Sequence, residues 1–396
     1  MRKRICSFLT LLCLLAASIC ASPGTAYAKA SGQQAVYTAF GDSIAAGYGL
    51  SGYTDSQDTP AAPAKSYQAL TAAFLKTKSQ NYAVTGSDSD DCIELLTSQK
   101  ADADLAATDV ITLSIGSNDL LLPFIQIVMD YFQIDPSAID PAQIEDQIKN
   151  GFTLPQLDLS QMAEYYKKAE ALLTELSDHA TLHAQARAFA ENFQTILSLL
   201  HEKAPDAEIY VTNIYNPFAF LPKIGELADR YIQEINQAFS KDAPDYTLID
   251  VYTPFQEQEL TNVQADFQHP ASLSLDPHPS VQGHAVIADL IIRACKDAHS
   301  PKPAVLRSLY SDSKKKLTAQ IKLPADADGY QLLYAADKKG TYKKLGKGTS
   351  GQKTFQTSSK KLKSQKTYYF KVRSYQVVKG VTYYGKDSNI LKIKIS

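Results

Sequence analysis

Between residues 36 and 298, short runs rich in β-branched and aromatic residues alternate with longer stretches of helical periodicity. The runs fall at 36–40, 82–85, 110–115, 209–214 and 246–251; the helical stretches include 92–98, 184–203, 224–239 and 281–296. Such alternation leaves a chain few options, because parallel strands need long crossovers and helices supply them on both faces of a sheet. The V-I-T-L-S-I run at 110–115 is almost continuously apolar, as a strand covered on both faces requires. The expected fold is α/β with a parallel sheet between two helical layers. One connection, 120–183, is far longer than a crossover needs and contains "LLPFIQIVMDYF" and "MAEYYKKAEALLTEL". It reads as a helical insertion beside the carboxyl edge of the sheet. Its apolar first part has two readings, the wall or lid of an acyl-binding cleft or ordinary core.

The two ends of the chain differ from this middle. Arg2, Lys3 and Arg4 precede an apolar run at 5–21, and Ala26-Tyr27-Ala28 is an A-x-A cleavage pattern. Residues 1–28 therefore read as a signal peptide of a secreted protein, with a mature chain from Lys29. As a membrane anchor the run is short, and it ends in Pro23-Gly24. Cys6, Cys13 and Cys20 fall in this segment, leaving Cys92 and Cys295. An oxidising compartment allows those two to pair, though nothing in their spacing makes them neighbours.

At the other end, residues 301–396 hold 22 Lys or Arg against five Asp or Glu, whereas residues 1–300 hold 18 against 37. The break coincides with "SPKPA" at 300–304, a Pro-bearing linker. It separates an expected first domain at 29–299 from a second at 305–396. Beyond it, "LTAQIKLP", "GYQLLYAAD", "TYYFKVRSYQVV" and "SNILKIKI" alternate at period 2 with no helical run, which predicts an antiparallel β-sandwich. The strand "TYYFKVRSY" and the closing "GKDSNILKIKI" resemble a fibronectin type III module. The excess of lysine suits an anionic cell-surface polymer or a membrane surface, and equally suits solubility or docking on the acidic first domain. No groove-reading motif accompanies it, so nucleic acid is not an expected partner.

Chemistry concentrates where the strand runs end. "VYTAFGDSIAAGYG" at 36–49 runs through a strand, turns at Gly41 and opens a helix at Asp42 and Ser43. A hydroxyl there is either a helix cap or an exposed nucleophile beside a helix N-terminus that favours negative charge. "NYAVTG" ends at Gly86, where the lack of a side chain lets a backbone N–H approach a substrate, and "ITLSIGSND" delivers Asn118, a neutral amide donor, after Gly116. A serine nucleophile needs a histidine base. His179, His183, His201 and His299 have structural readings, which leaves His269, His278 and His284 near the end of the first domain. Pro279 and Gly283 frame a loop-to-helix turn that presents His278, while His284 lies on the helix, where it packs or caps.

In order, Gly41-Asp42-Ser43, Gly86 after Asn81 and Ala83, Gly116-x-Asn118-Asp119, and His278-Pro279 with Gly283-His284 resemble the four blocks of the SGNH (GDSL) hydrolase superfamily over about residues 35–298. The resemblance implies a flavodoxin-like fold, Ser43 as nucleophile, His278 as base, and an oxyanion hole of the Ser43 N–H, the Gly86 N–H and Asn118. It implies no metal or organic cofactor. The family's acid often stands three residues before the histidine, which here is Leu275, with Asp276 two before. Asp276 is the expected orienter of the imidazole. Asp266, three before His269, mimics the usual spacing without the following helix, and a backbone carbonyl is the remaining option. Asp42 is expected to brace its turn. There is no G-x-S-x-G elbow of the α/β-hydrolase kind.

These expectations amount to a secreted serine esterase or lipase acting on lipid or lysophospholipid acyl esters, the apolar Leu121–Ile125 stretch leaning toward acyl chains. The rivals are a carbohydrate or cell-wall O-acetyl esterase and, in another class, a surface-binding protein on an inactive hydrolase fold.

Overall fold

The computed structural model describes residues 35–54, 62–77, 79–133, 162–257, 259–266 and 274–396. Five strands, β1 (Tyr37–Gly41), β2 (Ser79–Asn81), β3 (Val110–Ser114), β4 (Glu208–Thr212) and β5 (Thr247–Ile249), form one sheet in the order β2-β1-β3-β4-β5. Every pairing in it is parallel. Residues of β1 and β3 are buried throughout, and their side chains alternate between two cores. Phe40, Ile111, Leu113, Ile209 and Val211 face one of them, Tyr37, Ala39, Val110 and Tyr210 the other. Helices α3 (Ser89–Thr97), α7 (Ala180–Lys203) and α8 (Pro222–Asn236) cover the first core; α2 (Tyr67–Leu75) and α11 (Val281–His299) cover the second. The remaining helices here are α1 (Ser43–Ala46), α4 (Asp102–Leu105), α5 (Ser117–Phe132), α6 (Met162–Leu176), α9 (Tyr252–Glu257) and α10 (Glu259–Asn262).

The second strand is displaced from its expected place at 82–85. The ladder uses the polar Ser79–Asn81, and the chain continues alongside β1 through single bonds, Tyr82 N–H to Ala39 O (2.8 Å) and Val84 N–H to Gly41 O (3.0 Å). The question of whether the two cysteines pair, left open by the sequence, is answered by their positions. Both thiols are free and buried, Cys92 in the core under α3 and Cys295 in the core under α11, on opposite faces of the sheet. Burial pushes the thiols up to about 12 and about 11.

The end of β1 is forced by one residue. Gly41 has φ +144°, and a Cβ there would lie 2.1 Å from the Ser114 carbonyl oxygen at the end of β3. Only glycine lets the two strand ends close this far, with the Asp42 N–H donating to Ser114 O at 3.1 Å. Because β1 lies between β2 and β3, crossovers leave it in opposite directions. The carboxyl ends of β1 and β3 thus flank the switch point where open α/β sheets bind ligands.

A separate antiparallel pair, β6 (Val263–Asp266) and β7 (Ser274–Pro279), stands off the sheet just before α11. The C-terminal region is antiparallel throughout. Strands β8 (Val305–Tyr310), β9 (Lys316–Lys322), β10 (Gly329–Ala335), β11 (Lys343–Thr349), β12 (Thr354–Ser358), β13 (Thr367–Val378), β14 (Val381–Asp387) and β15 (Leu391–Lys394) make two sheets. The orders are β11-β10-β13-β14, with β15 on β13, and β12-β9-β8. Leu306, Leu317, Ile321, Tyr330, Phe355 and Phe370 share a core between them.

This region is not strung on a free linker. Lys302 O accepts from Ser374 Oγ (2.8 Å) and its N–H donates to Asp326 Oδ2 (3.1 Å). Val381 and Tyr383 of β14 join the core that holds Tyr37 and Cys295. Lys379 Nζ reaches Asp206 O (2.5 Å) and Asp109 O (3.3 Å) on the α/β part.

Candidate active site

Asp42, not Ser43, caps α1: its Oδ1 accepts from the Ile44 N–H at 2.9 Å, leaving Ser43 in the first helical position. The Ser43 hydroxyl instead lies 2.8 Å from His278 Nε2. His278 Nδ1 lies 2.5 Å from Asp276 Oδ1, which also accepts the His278 backbone N–H at 2.9 Å. A carboxylate only accepts, so Nδ1 carries the ring proton and Nε2 is left to accept from the hydroxyl. Serine, histidine and aspartate thus stand in one chain of hydrogen bonds, and Asp276 is buried beside a largely buried imidazole.

A bulge aims the histidine. Val263 pairs with Pro279 and Gln264 with Asp276, so Pro277 and His278 are extra residues on β7, pushed out of the ladder. Bulges re-aim side chains in this way. The bulge is pinned by Tyr215 OH donating to Pro277 O (2.7 Å), and Gln264 Nε2 ties Pro279 O (3.1 Å) to Tyr48 O (3.2 Å). The Tyr48 ring packs on the imidazole with centroids 4.4 Å apart. Asp266 stands opposite Ser274, four residues before His278, and His269 lies outside the described residues.

The other strand end supplies Asn118. Its Nδ2 donates to Ser87 O at 2.7 Å, which sets it beside the turn holding Gly86 at φ +88°. Its neighbour Asp119 is a buried carboxylate that accepts from the Ser89 N–H (3.1 Å) and from Ser89 Oγ. Asn192 of α7 donates to Ser89 Oγ (2.9 Å) and to Asp90 Oδ1 (3.0 Å). The N-termini of α3 and α5 are therefore clamped together. Burial pushes Asp119 up to about 6, against the Ser89 bonds. Burial likewise pushes Asp42 up to about 7, opposed by the Ile44 N–H and His278, and among the described residues its Oδ2 has no hydrogen-bond partner.

His284 is fully buried behind this layer, its Nδ1 accepting from the Tyr67 N–H at 3.3 Å, and burial pushes it down to about 3. It packs. His183 sits between Glu234 and Asp178, and His299 against Glu208.

A cavity of about 290 Å³ opens against Ser43, Asn118 and His278. It is lined by Leu120, Leu121 and Phe124 of α5, Leu182 of α7, and Leu227, Ala228 and Tyr231 among the residues of α8. Of the apolar 120–125 stretch, Leu120, Leu121 and Phe124 line the cavity, Leu120 and Phe124 also meeting the core, while Leu122 and Ile125 are exposed outside it. Among the described residues no cluster of three His, Cys, Asp or Glu side chains is arranged to hold a metal ion.

A model of the GDSL-like Lipase/Acylhydrolase family matches residues 39–286, more than half of the 396. The chain belongs to that family. The GDSL-like match contains every residue of the site, and the C-terminal sheets lie outside it. The uncharacterized protein YpmR of Bacillus subtilis (strain 168) is 23% identical over 229 residues, 56% of this chain and 68% of that one. Among solved structures, the lipase Lip_vut3 from a goat rumen metagenome is 22% identical, covering 66% of this chain and 96% of its own, with a TM-score of 0.41. The phospholipase A1 of Streptomyces albidoflavus NA297 is 17% identical, covering 66% and 99%, with a TM-score of 0.42. At these scores the likenesses say nothing about substrate.

The sequence reading did not find Tyr48, Ser89, Asn192, Gln264 or the α8 wall. Only the last left a signal, a stripe at 224, 227, 228, 231 and 232 that on its own is indistinguishable from a core-facing helix.

Proposed function

We propose that this chain is a secreted serine esterase that hydrolyses lipid-like acyl esters through an acyl-Ser43 intermediate. The observation that carries the reading is the 2.8 Å contact between Ser43 Oγ and a His278 ring whose other nitrogen is held by Asp276, at the mouth of an apolar cavity. His278 takes the hydroxyl proton as the oxygen attacks the ester carbonyl. The Ser43 N–H, the Gly86 N–H and Asn118 receive the oxyanion. The protonated imidazole then gives its proton to the leaving alcohol, and water repeats the sequence on the acyl-enzyme. The cavity walls favour an acyl chain over an acetylated sugar, since they offer a carbohydrate few polar partners. The amino-terminal targeting pattern supports secretion. The strand order supports a flavodoxin-like core at 29–299, and the two antiparallel sheets, of three and five strands around one core, support a fibronectin type III-like module at 305–396. The test is labelling with a fluorophosphonate, followed by mass spectrometry of the modified peptide. Adduct on Ser43 is expected; an unlabelled, folded protein, or adduct elsewhere, overturns the assignment.

A further inference from the structure

Strands β11 and β12 are edge strands of different sheets, yet they meet. A Cβ on Gly346 of β11 would lie 2.3 Å from the Phe355 ring of β12, and Lys361 Nζ donates to Lys344 O at 3.1 Å. Together they make one flank of the sandwich. Residues 338–366, which build it, carry ten lysines, no arginine and no acidic residue. All ten lysines are exposed, and among the described residues none is paired with a carboxylate. On β13, by contrast, Lys371 and Arg373 share Asp387 at 2.6 and 2.7 Å. The opposite edge of the larger sheet, β14, is the one packed on the α/β part, so the lysine flank stays clear of it.

We propose that this flank binds a linear polyanion with a phosphate in each repeat, a flexible chain rather than a bilayer. Ten like charges with no carboxylate among them, concentrated on and around this flank, repel one another, and a polyanion relieves that repulsion while releasing its own counterions. Lysine without arginine fits a partner of no fixed geometry, because the ammonium is a point charge where guanidinium is a fork for planar, bidentate groups. The large exposed apolar side chains of the described residues lie outside 338–366, so the flank has no wedge to insert among lipids. The remainder of the chain is acidic, and a broad anionic bilayer would repel it where a thin polymer reaches the flank alone.

The experiment uses the full chain on immobilised long-chain inorganic polyphosphate, with ester hydrolysis and melting temperature as controls for folding. One variant carries K343Q, K347Q, K353Q and K360Q; a second, with the same net charge, carries K65Q, K76Q, K100Q and K241Q, exposed lysines of the α/β part. Salt-sensitive retention of the unaltered protein is expected, with affinity lowered about tenfold or more by the first variant and at most about threefold by the second. Equal losses in both variants overturn the proposal, as does no retention at low ionic strength. Tighter capture by vesicles of equimolar phosphatidylglycerol and phosphatidylcholine, lost with the same four lysines, also overturns it in favour of a membrane.

Discussion

Asp276 Oδ1 accepts two hydrogen bonds from the same residue, the backbone N–H of His278 at 2.9 Å and its ring Nδ1 at 2.5 Å. The two-residue spacing makes this possible: an aspartate reaches its own backbone two residues on, and the bulge turns the ring of that residue back toward it. One oxygen serves both bonds. In Asp276→Asn, an amide with its oxygen in place still accepts both but carries no charge to stabilise the imidazolium, and a flipped amide loses both bonds and offers a donor to Nδ1. Turnover of p-nitrophenyl octanoate should fall about 10⁴-fold with KM little changed, the size of effect such a substitution has in a serine triad. A loss within tenfold would move the orienting role to another group.

The central strands were legible because residues covered on both faces must be apolar, as 110–115 is. Strand β2 was misplaced because an edge strand tolerates Ser79, Gln80 and Asn81. The hairpin of β6 and β7 was invisible for a different reason. S-L-D-P-H-P carries two prolines and reads as a loop, and its pairing partner is set by tertiary contacts. The order of Ser43, Asn118 and His278 was readable because each follows a local turn signal. Tyr48 on the imidazole and Asn192 on Ser89 were not, since both contacts join segments about a hundred residues or more apart.

Asn118 and Asp119 make separable contributions. Asn118→Ala removes the amide proposed to receive the oxyanion, and kcat should fall 10²–10³-fold, roughly 3–4 kcal/mol, at nearly constant KM and melting temperature. Asp119→Ala instead releases the clamp on Ser89 and lets the N-termini of α3 and α5 drift. Since a displacement near 1 Å costs about a hundredfold, kcat should fall about ten- to a hundredfold and the melting temperature should drop as well. An unchanged melting temperature in Asp119→Ala would remove the clamp from the account.

Asp42 sets a pH dependence of stability. Its carboxyl is pushed up from 3.8 to about 7 by burial, so between those values the folded state binds a proton that the unfolded state has lost. Unfolding free energy therefore falls as pH rises through that window, by about 4 kcal/mol at roughly 1.4 kcal/mol per unit, and the deficit persists above it. Asp42→Asn retains an acceptor for the Ile44 N–H without the buried charge. Its melting temperature should exceed that of the unaltered protein at pH 8 and match it at pH 4. A difference independent of pH would contradict this account of the carboxyl.

The proposed acyl specificity can be tested on the cavity wall. Ala228 of α8 lines the cavity, so a larger side chain there takes up space that the proposed acyl chain would use. Each methylene excluded from an apolar environment forfeits about 0.8 kcal/mol, close to fourfold, and a few of them compound quickly. In Ala228→Phe, kcat/KM for p-nitrophenyl octanoate should fall about ten- to a hundredfold, while that for the acetate, which does not reach the wall, stays within about threefold. Equal losses on both esters would mean that the substitution disturbs Ser43 and His278 themselves. Unchanged rates on both would mean that the acyl chain lies elsewhere, and the exposed Leu122 and Ile125 on α5 would be the next surface to alter.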